Sequence, residues 1–155
     1  MADLSIGTDA PGFTLPRDGG GTVSLAALLG KPVVIFFYPK DNTSSCTVES
    51  IDFSRLEQDF SNAGATIVGM SPDSVKSHDK FVKKHSLSVI LASDEDRSTL
   101  ETYGVWKEKS MYGHKYMGVE RTTVLVDAKG KIARVWDKVK VKGHADEVLA
   151  AVRAL

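Results

Sequence analysis

Val33-Val34-Ile35-Phe36-Phe37-Tyr38, followed at once by Pro39-Lys40-Asp41-Asn42-Thr43-Ser44-Ser45-Cys46, is the stretch on which the fold of this chain turns. Its apolar first half, rich in β-branched and aromatic residues, reads as a strand covered on both faces. Downstream, Val48, Ile51, Phe53, Leu56 and Phe60 recur at spacings near 3.6, with charges between them and Gly64 just beyond. That spacing predicts one amphipathic helix over 47–62 with Cys46 in or just before its first turn. The only cysteine of the chain therefore stands where a buried strand passes into a helix. The first N–H groups of a helix lack intrahelical acceptors and favour an anion, and the thiolate is the nucleophilic form of cysteine.

Working outward, residues 66–70 read as a second buried strand. Pro72-Asp73-Ser74 signals a helix start before a helix over 75–85, with Phe81 and Val82 on its apolar face. Val89-Ile90-Leu91 reads as a third strand, and a short helix over 97–103 ends at Gly104. The polar, basic segment 107–115 reads as a solvated loop. Two strands follow, over 122–126 and 131–136, joined by Asp127-Ala128-Lys129-Gly130 with glycine where a positive φ is needed, and a helix over 145–154 carries Val148, Leu149 and Val152 on one face. On the N-terminal side, an irregular stretch over 9–12 leads to an alternating piece at 13–15, a turn over 17–21 and a short helix over 25–29 capped by Ser24, which together read as an edge hairpin and its helix. The glycines at 19–21 make a plain turn, because no Gly-Lys-Ser/Thr follows them. Strand–helix alternation followed by a hairpin and a helix predicts a three-layer α/β fold, a central mixed β-sheet flanked by helices on both faces. In such sheets ligands bind beyond the C-terminal ends of the parallel strands, where 39–46 falls.

The 155 residues fit one globular domain spanning 1–155. Twenty basic and twenty acidic residues balance, so no global field recruits nucleic acid or an anionic membrane. The N-terminus, Met1-Ala2-Asp3-Leu4-Ser5, has neither a basic patch nor a signal-length apolar run, and no segment has the roughly 20 apolar residues of a membrane span, which points to the cytoplasm. One cysteine excludes an internal disulfide. His78, His85, His114 and His144 lack metal-ligand spacing, so no metal and no cofactor is expected. A Cys-His hydrolase is conceivable, but no hydrolase-like signature surrounds Cys46. Trp106, Tyr112, Tyr116 and Trp136 read as core or rim aromatics rather than a nucleic-acid stacking platform.

A lone cysteine is often an inert, buried small hydrophobe. Here Thr43, Ser44, Ser45 and Thr47 crowd it with hydroxyls that such a residue has no use for, and Pro39 restricts the backbone as it leaves the strand. The pattern Pro39-x-x-x-Thr43-x-x-Cys46 resembles the peroxidatic motif of peroxiredoxins, closest to the bacterioferritin-comigratory-protein (PrxQ) branch. The resemblance extends to Gly7, Ala10, Pro11 and Phe13, to Ser71-Pro72-Asp73, to Leu91-Ala92-Ser93-Asp94 and to Gly118-Val119-Glu120-Arg121-Thr122-Thr123.

The resemblance implies a thioredoxin-like fold and an antioxidant thiol peroxidase acting on hydrogen peroxide and organic hydroperoxides, with its catalytic arginine at Arg121. It implies a monomer, and rescue of oxidised Cys46 by thioredoxin, glutaredoxin or glutathione. Two departures stand out: many relatives have Pro-Gly where this chain has Ser44-Ser45, and many carry a resolving cysteine where it has Ile51, or in the helix after Pro72, where it has residues such as Ser77. Without a second cysteine the chain resembles the one-cysteine mode. Glu49 reads first as a helix-surface acid, although in such a family it can orient the arginine. The chemistry asks for a cation independently of the family: an ordinary thiol of pKa about 8.5 is a few per cent thiolate at neutral pH, so full ionisation gains at most about thirty-fold. The rest must come from donors aimed at the peroxide oxygens, each contributing on the order of 3 kcal/mol. The competing readings are a thioredoxin-like disulfide reductase, disfavoured because Thr43 stands where Cys-x-x-Cys needs a cysteine, and a redox sensor or binding protein without turnover.

Overall fold

The computed structural model describes residues 4–155; Met1, Ala2 and Asp3, part of the stretch inspected for targeting signals, lie outside the described residues. Its central sheet has five strands in the order β5-β4-β3-β8-β9. The apolar run forms β3 (Val33–Phe37), buried along its whole length in the middle of the sheet. β4 (Thr66–Ser71) and β5 (Ile90–Ser93) continue parallel to it on one side; on the other, β8 (Thr122–Val126) pairs antiparallel with β3, and β9 (Ile132–Trp136) pairs antiparallel with β8. The mixed sheet expected from the sequence is thus present. At its centre Gly69 is required by packing: a Cβ there would lie 2.6 Å from Phe36 Cζ and 2.8 Å from Leu91 Cδ2.

Alternation along β3 divides the core into two layers. Val34, Phe36 and Tyr38 pack with Phe53, Phe60, Phe81, Val148 and Leu149, residues of α2 (Ser44–Arg55), α3 (Glu57–Asn62), α4 (Val75–His85) and α6 (His144–Arg153). Val33, Ile35 and Phe37 face the opposite layer, with Leu25 of α1 (Leu25–Leu28), Leu100 of α5 (Ser98–Thr102), Phe13 and Val23. The N-terminal hairpin, β1 (Thr14–Pro16) with β2 (Thr22–Ser24), is a separate two-stranded sheet. It borders the β5 edge, where the Asp18 N–H donates to Leu91 O (3.0 Å) and the Leu91 N–H donates to Asp18 Oδ1 (2.9 Å), so this edge is covered.

Two expectations need correction. The single helix over 47–62 is two helices, interrupted at Leu56, and its start lies three residues earlier than the apolar spacing placed it. Val48 and Ile51 are 49% and 40% exposed, whereas the sheet-facing stripe of α2 is Cys46, Glu49, Ser50 and Phe53. Apolar spacing misassigned that face because two of its buried members are polar. The segment 107–115 is a hairpin rather than a loop: β6 (Trp106–Met111) pairs antiparallel with β7 (His114–Val119). Tyr112 and Gly113 at its tip both have positive φ, 52° and 80°, as a two-residue type I′ turn requires. Tyr112, 96% exposed, and Tyr116 lie on its surface rather than in the core.

Candidate active site

Cys46 is the third residue of α2, whose N-cap is Thr43 in an extended conformation. Ser44 occupies the first helical position, where proline is also at home, so its presence in place of proline leaves the helix start intact. The thiol lies within the first turn, at the positive end of the helix dipole, and Cys46 is wholly buried.

The antiparallel register of β8 on β3 brings the far half of the site in. Phe37 is paired with Thr122, so the residue before Thr122 reaches the level at which β3 ends and the Cys46 segment begins. That residue is Arg121. One guanidinium nitrogen, Nη2, donates to Cys46 Sγ at 3.1 Å, and the other, Nη1, donates to Glu49 Oε1 at 2.5 Å. One planar fork thus spans the thiol and a carboxylate placed one helical turn beyond it on the same face of α2. Although burial pulls the Arg121 pKa down, Glu49 and Cys46 together hold it above its ordinary value, so the guanidinium is charged at any working pH. Burial pushes Glu49 up to about 7 against the pull of Arg121. Its second oxygen, Oε2, is buried without a hydrogen-bond partner among the described residues.

Glu49 is therefore a buried partner of Arg121 and not a surface acid. Its sequence signal was its spacing: three residues after Cys46, it shares the face of the thiol. The Thr43 hydroxyl donates to Lys40 O at 2.9 Å, closing the turn between Pro39 and the helix, and Pro39 is half-buried directly after the strand. The geometry thus joins Cys46 and Arg121 through hydrogen bonding, with Thr43 and Pro39 in the segment that delivers Cys46. Lys109 of β6 is a further cation that sequence reading passed over. Its stem lies across Gly118 of the paired strand, and its pKa is lowered by burial and by the charge of Arg121, with the Cys46 sulfur pulling the other way. A surface cavity of about 480 Å3 lies between α2, at Ser45, Val48 and Asp52, and the start of α6, at Gly143 and Asp146; neither Cys46 nor Arg121 lines it.

Behind the site is a second buried polar group. Asp41 Oδ1 accepts from the Tyr38 hydroxyl (2.6 Å), and Oδ2 accepts from the Ser77 hydroxyl (2.8 Å) and faces His78 Nδ1 (2.8 Å). The Asp41 N–H donates to Asp73 Oδ2 (2.8 Å), and His78 Nε2 lies 3.0 Å from Ala92 O. The histidines looked scattered along the chain, yet the fold brings His78 against two carboxylates. Asp41, Asp73 and His78 have ligand-type atoms within 4.8 Å of one another. Both ring nitrogens face acceptors, however, which calls for N–H on each and leaves the imidazole no lone pair for a metal.

A family model described as the AhpC/TSA family matches residues 6–135. The chain is 46% identical to peroxiredoxin Bcp of Xanthomonas campestris over 156 residues, covering 99% of this chain and 98% of that one. It is 43% identical to peroxiredoxin Bcp of Bacillus subtilis over 150 residues, covering 97% and 96%. Among solved structures, a cysteine-to-serine variant of Xylella fastidiosa PrxQ superposes with a TM-score of 0.93 at 36% identity, over 99% of this chain and 98% of that one. The bacterioferritin comigratory protein of Xanthomonas campestris, studied for alkyl peroxide reduction with trapped intermediate and ligand complexes, gives 0.87 at 46% identity over 92% and 90%.

Proposed function

This chain belongs to the AhpC/TSA family, in company with the Bcp/PrxQ peroxiredoxins, and from that premise we propose that Cys46 reduces peroxides under the direction of Arg121. The protein is a thiol-dependent peroxidase with a thioredoxin-like fold. The observation that carries the assignment of its site is the Arg121 fork, with one nitrogen on the thiol sulfur and the other on buried Glu49.

The chemistry follows from that geometry. The Cys46 thiolate attacks the nearer oxygen of HO–OR, an S–O bond forms as the O–O bond breaks, and the electron pair leaves with RO⁻, which takes up a proton to become ROH. Arg121 stabilises the thiolate before attack and, being fixed and permanently charged, stabilises the negative charge as it moves onto the oxygens. Glu49 holds the fork in orientation. Thr43 closes the turn that aims the helix end by donating its hydroxyl to Lys40 O. The product is a Cys46 sulfenic acid. An external thiol displaces water from it to give a mixed disulfide, and a second thiol equivalent regenerates Cys46. With one cysteine in the sequence, no internal thiol can perform the first of these displacements. The reductant is thioredoxin, glutaredoxin or glutathione, the enzyme acts as a monomer, and its compartment is the cytoplasm. Among the described residues no helix is long and apolar enough to cross a membrane.

The assay is steady-state consumption of hydrogen peroxide and of an alkyl hydroperoxide with excess dithiothreitol, comparing the wild type with Cys46→Ser. Turnover that disappears in the variant supports the assignment. Sulfenic acid formation without turnover would instead identify a sensor, and turnover retained by the variant would sink the role of Cys46.

A further inference from the structure

The site contains a conflict between its two half-reactions. Attack on a small peroxide suits a buried sulfur held against Arg121, but an external thiol must reach that same sulfur, and Cys46 has no exposed surface. The segment between β3 and α2 therefore has to open, and its resistance to opening matters to the rate. Its outer part is lightly held: Asn42, Thr43, Ser44 and Ser45 are exposed, and the Thr43 hydroxyl bonds only within the segment. Its inner part is fastened at Asp41, whose side chain is 1% exposed.

The fastening comes from other elements. Asp41 receives hydroxyl donors from Tyr38 at the end of β3 and from Ser77 in α4, and the His78 ring bridges it to Ala92 O of β5. The Asp41 N–H is tied to Asp73, itself held by the Ser71 hydroxyl at 2.7 Å. A carbonyl can only accept, so His78 Nε2 carries a proton. Nδ1 lies 2.8 Å from a carboxylate, and the charge-assisted bond there is of the stronger class.

We propose that His78 is a positioning residue for the peroxidase reaction. Through Asp41 it holds the Pro39-to-Cys46 segment closed, with the sulfur against Arg121, and so sets the balance between attack on peroxide and access by the external thiol. The proposal rests on the peroxidase reading for its purpose but not for its geometry. The groups facing the imidazole are Asp41 from the segment, Asp73 from the approach to α4 and the neutral Tyr38 from β3; β5 offers only a backbone carbonyl. Burial alone would lower the His78 pKa, and Asp41, joined by Ala92 O and Asp73, more than reverses it, so the charged bridge weakens as pH rises through that elevated value.

The experiment measures access to reduced Cys46 without peroxide, as the ratio of its alkylation rates by a bulky maleimide and by iodoacetamide. The ratio cancels the thiolate fraction common to both reagents. His78→Gln keeps an amide able to reach Ala92 O but withdraws the Nδ1 donor; it is expected to raise the ratio about tenfold and to slow oxidation by hydrogen peroxide by a similar factor. His78→Asn, which places a neutral donor near Asp41, is expected to restore part of both. Ser77→Ala, which removes one other donor to Asp41, is expected to shift both in the same direction by about twofold and tests the clamp even if His78→Gln does not fold. Wild-type ratios in His78→Gln and Ser77→Ala would overturn the proposal, as would a fall in peroxide rate with no rise in accessibility. Loss of all Cys46-dependent turnover in the wild type would instead strike the peroxidase reading and leave the accessibility result standing.

Discussion

Arg121 contacts the Cys46 sulfur whereas the Thr43 hydroxyl bonds to the backbone of its own segment, and substitution separates them. Arg121 touches Sγ directly and supplies a permanent charge, so Arg121→Ala is expected to lower kcat/KM for hydrogen peroxide by about two to three orders of magnitude, the cost of removing one well-aimed donor from a site of developing charge. Thr43→Ser keeps the hydroxyl that bonds to Lys40 O and is expected to change kcat/KM by about twofold or less. Stopped-flow oxidation of the reduced enzyme reads both, and losses of equal size would contradict the division of roles. Glu49 illustrates how a buried acid escapes a sequence reading. Its neighbours in α2 are mostly polar, and only the arrival of Arg121, the residue just before β8, makes its burial tolerable. The remaining strain is visible in a carboxyl pushed up to about 7 and an oxygen without a partner among the described residues.

Among the elements, α6 carries a device opposite in sign to that of α4. His144 is the first residue of α6, buried between the rings of Phe53 and Trp136, with Nε2 2.8 Å from the Thr123 hydroxyl. Burial lowers its pKa to about 4, Glu147 opposes the shift, and Arg121 adds to it. The folded state therefore favours the neutral ring. Its stabilising contribution is complete above pH 6.5 and is lost as pH falls from 6.5 towards 4, because the unfolded chain takes up a proton that the folded chain refuses. His144→Gln is expected to be destabilised at pH 7 and to approach the wild type as pH falls to about 4.5, read from urea midpoints. A difference that stays constant with pH would rule this account out. For His78, by contrast, stability is present below pH 6.5 and lost as pH rises through its elevated folded value. The hairpin of β6 and β7 shows a different limit. Both of its faces are largely exposed, so no apolar alternation marks it, and its turn is Tyr-Gly rather than the commoner Asn-Gly.

At the scale of the molecule, two apolar layers share one sheet, and β3 contributes alternate residues to each. Loss of β3 would expose both layers, so the chain is expected to unfold as one unit, with coincident urea transitions by far-ultraviolet and near-ultraviolet circular dichroism. Separated midpoints would show that the layers belong to independent units. Much of this architecture is encoded locally. The run from Val33 to Phe37, the Ser24 and Ser74 caps and Gly130 in its turn specify their elements through the residues that form them. The sequence by itself therefore determined the strand–helix order, the mixed sheet and the position of the only thiol at the end of a buried strand, because apolar periodicity and turn chemistry act over a few residues. Only the tertiary structure decided which polar residues are buried and with whom. The contact of Arg121 with a sulfur 75 residues away depends on the register of β8 against β3, and the burial of Glu49, Asp41 and His78 depends on partners arriving from other elements. A charge enters a protein interior only where a partner meets it, and that meeting is a property of the assembled sheet rather than of any segment within it.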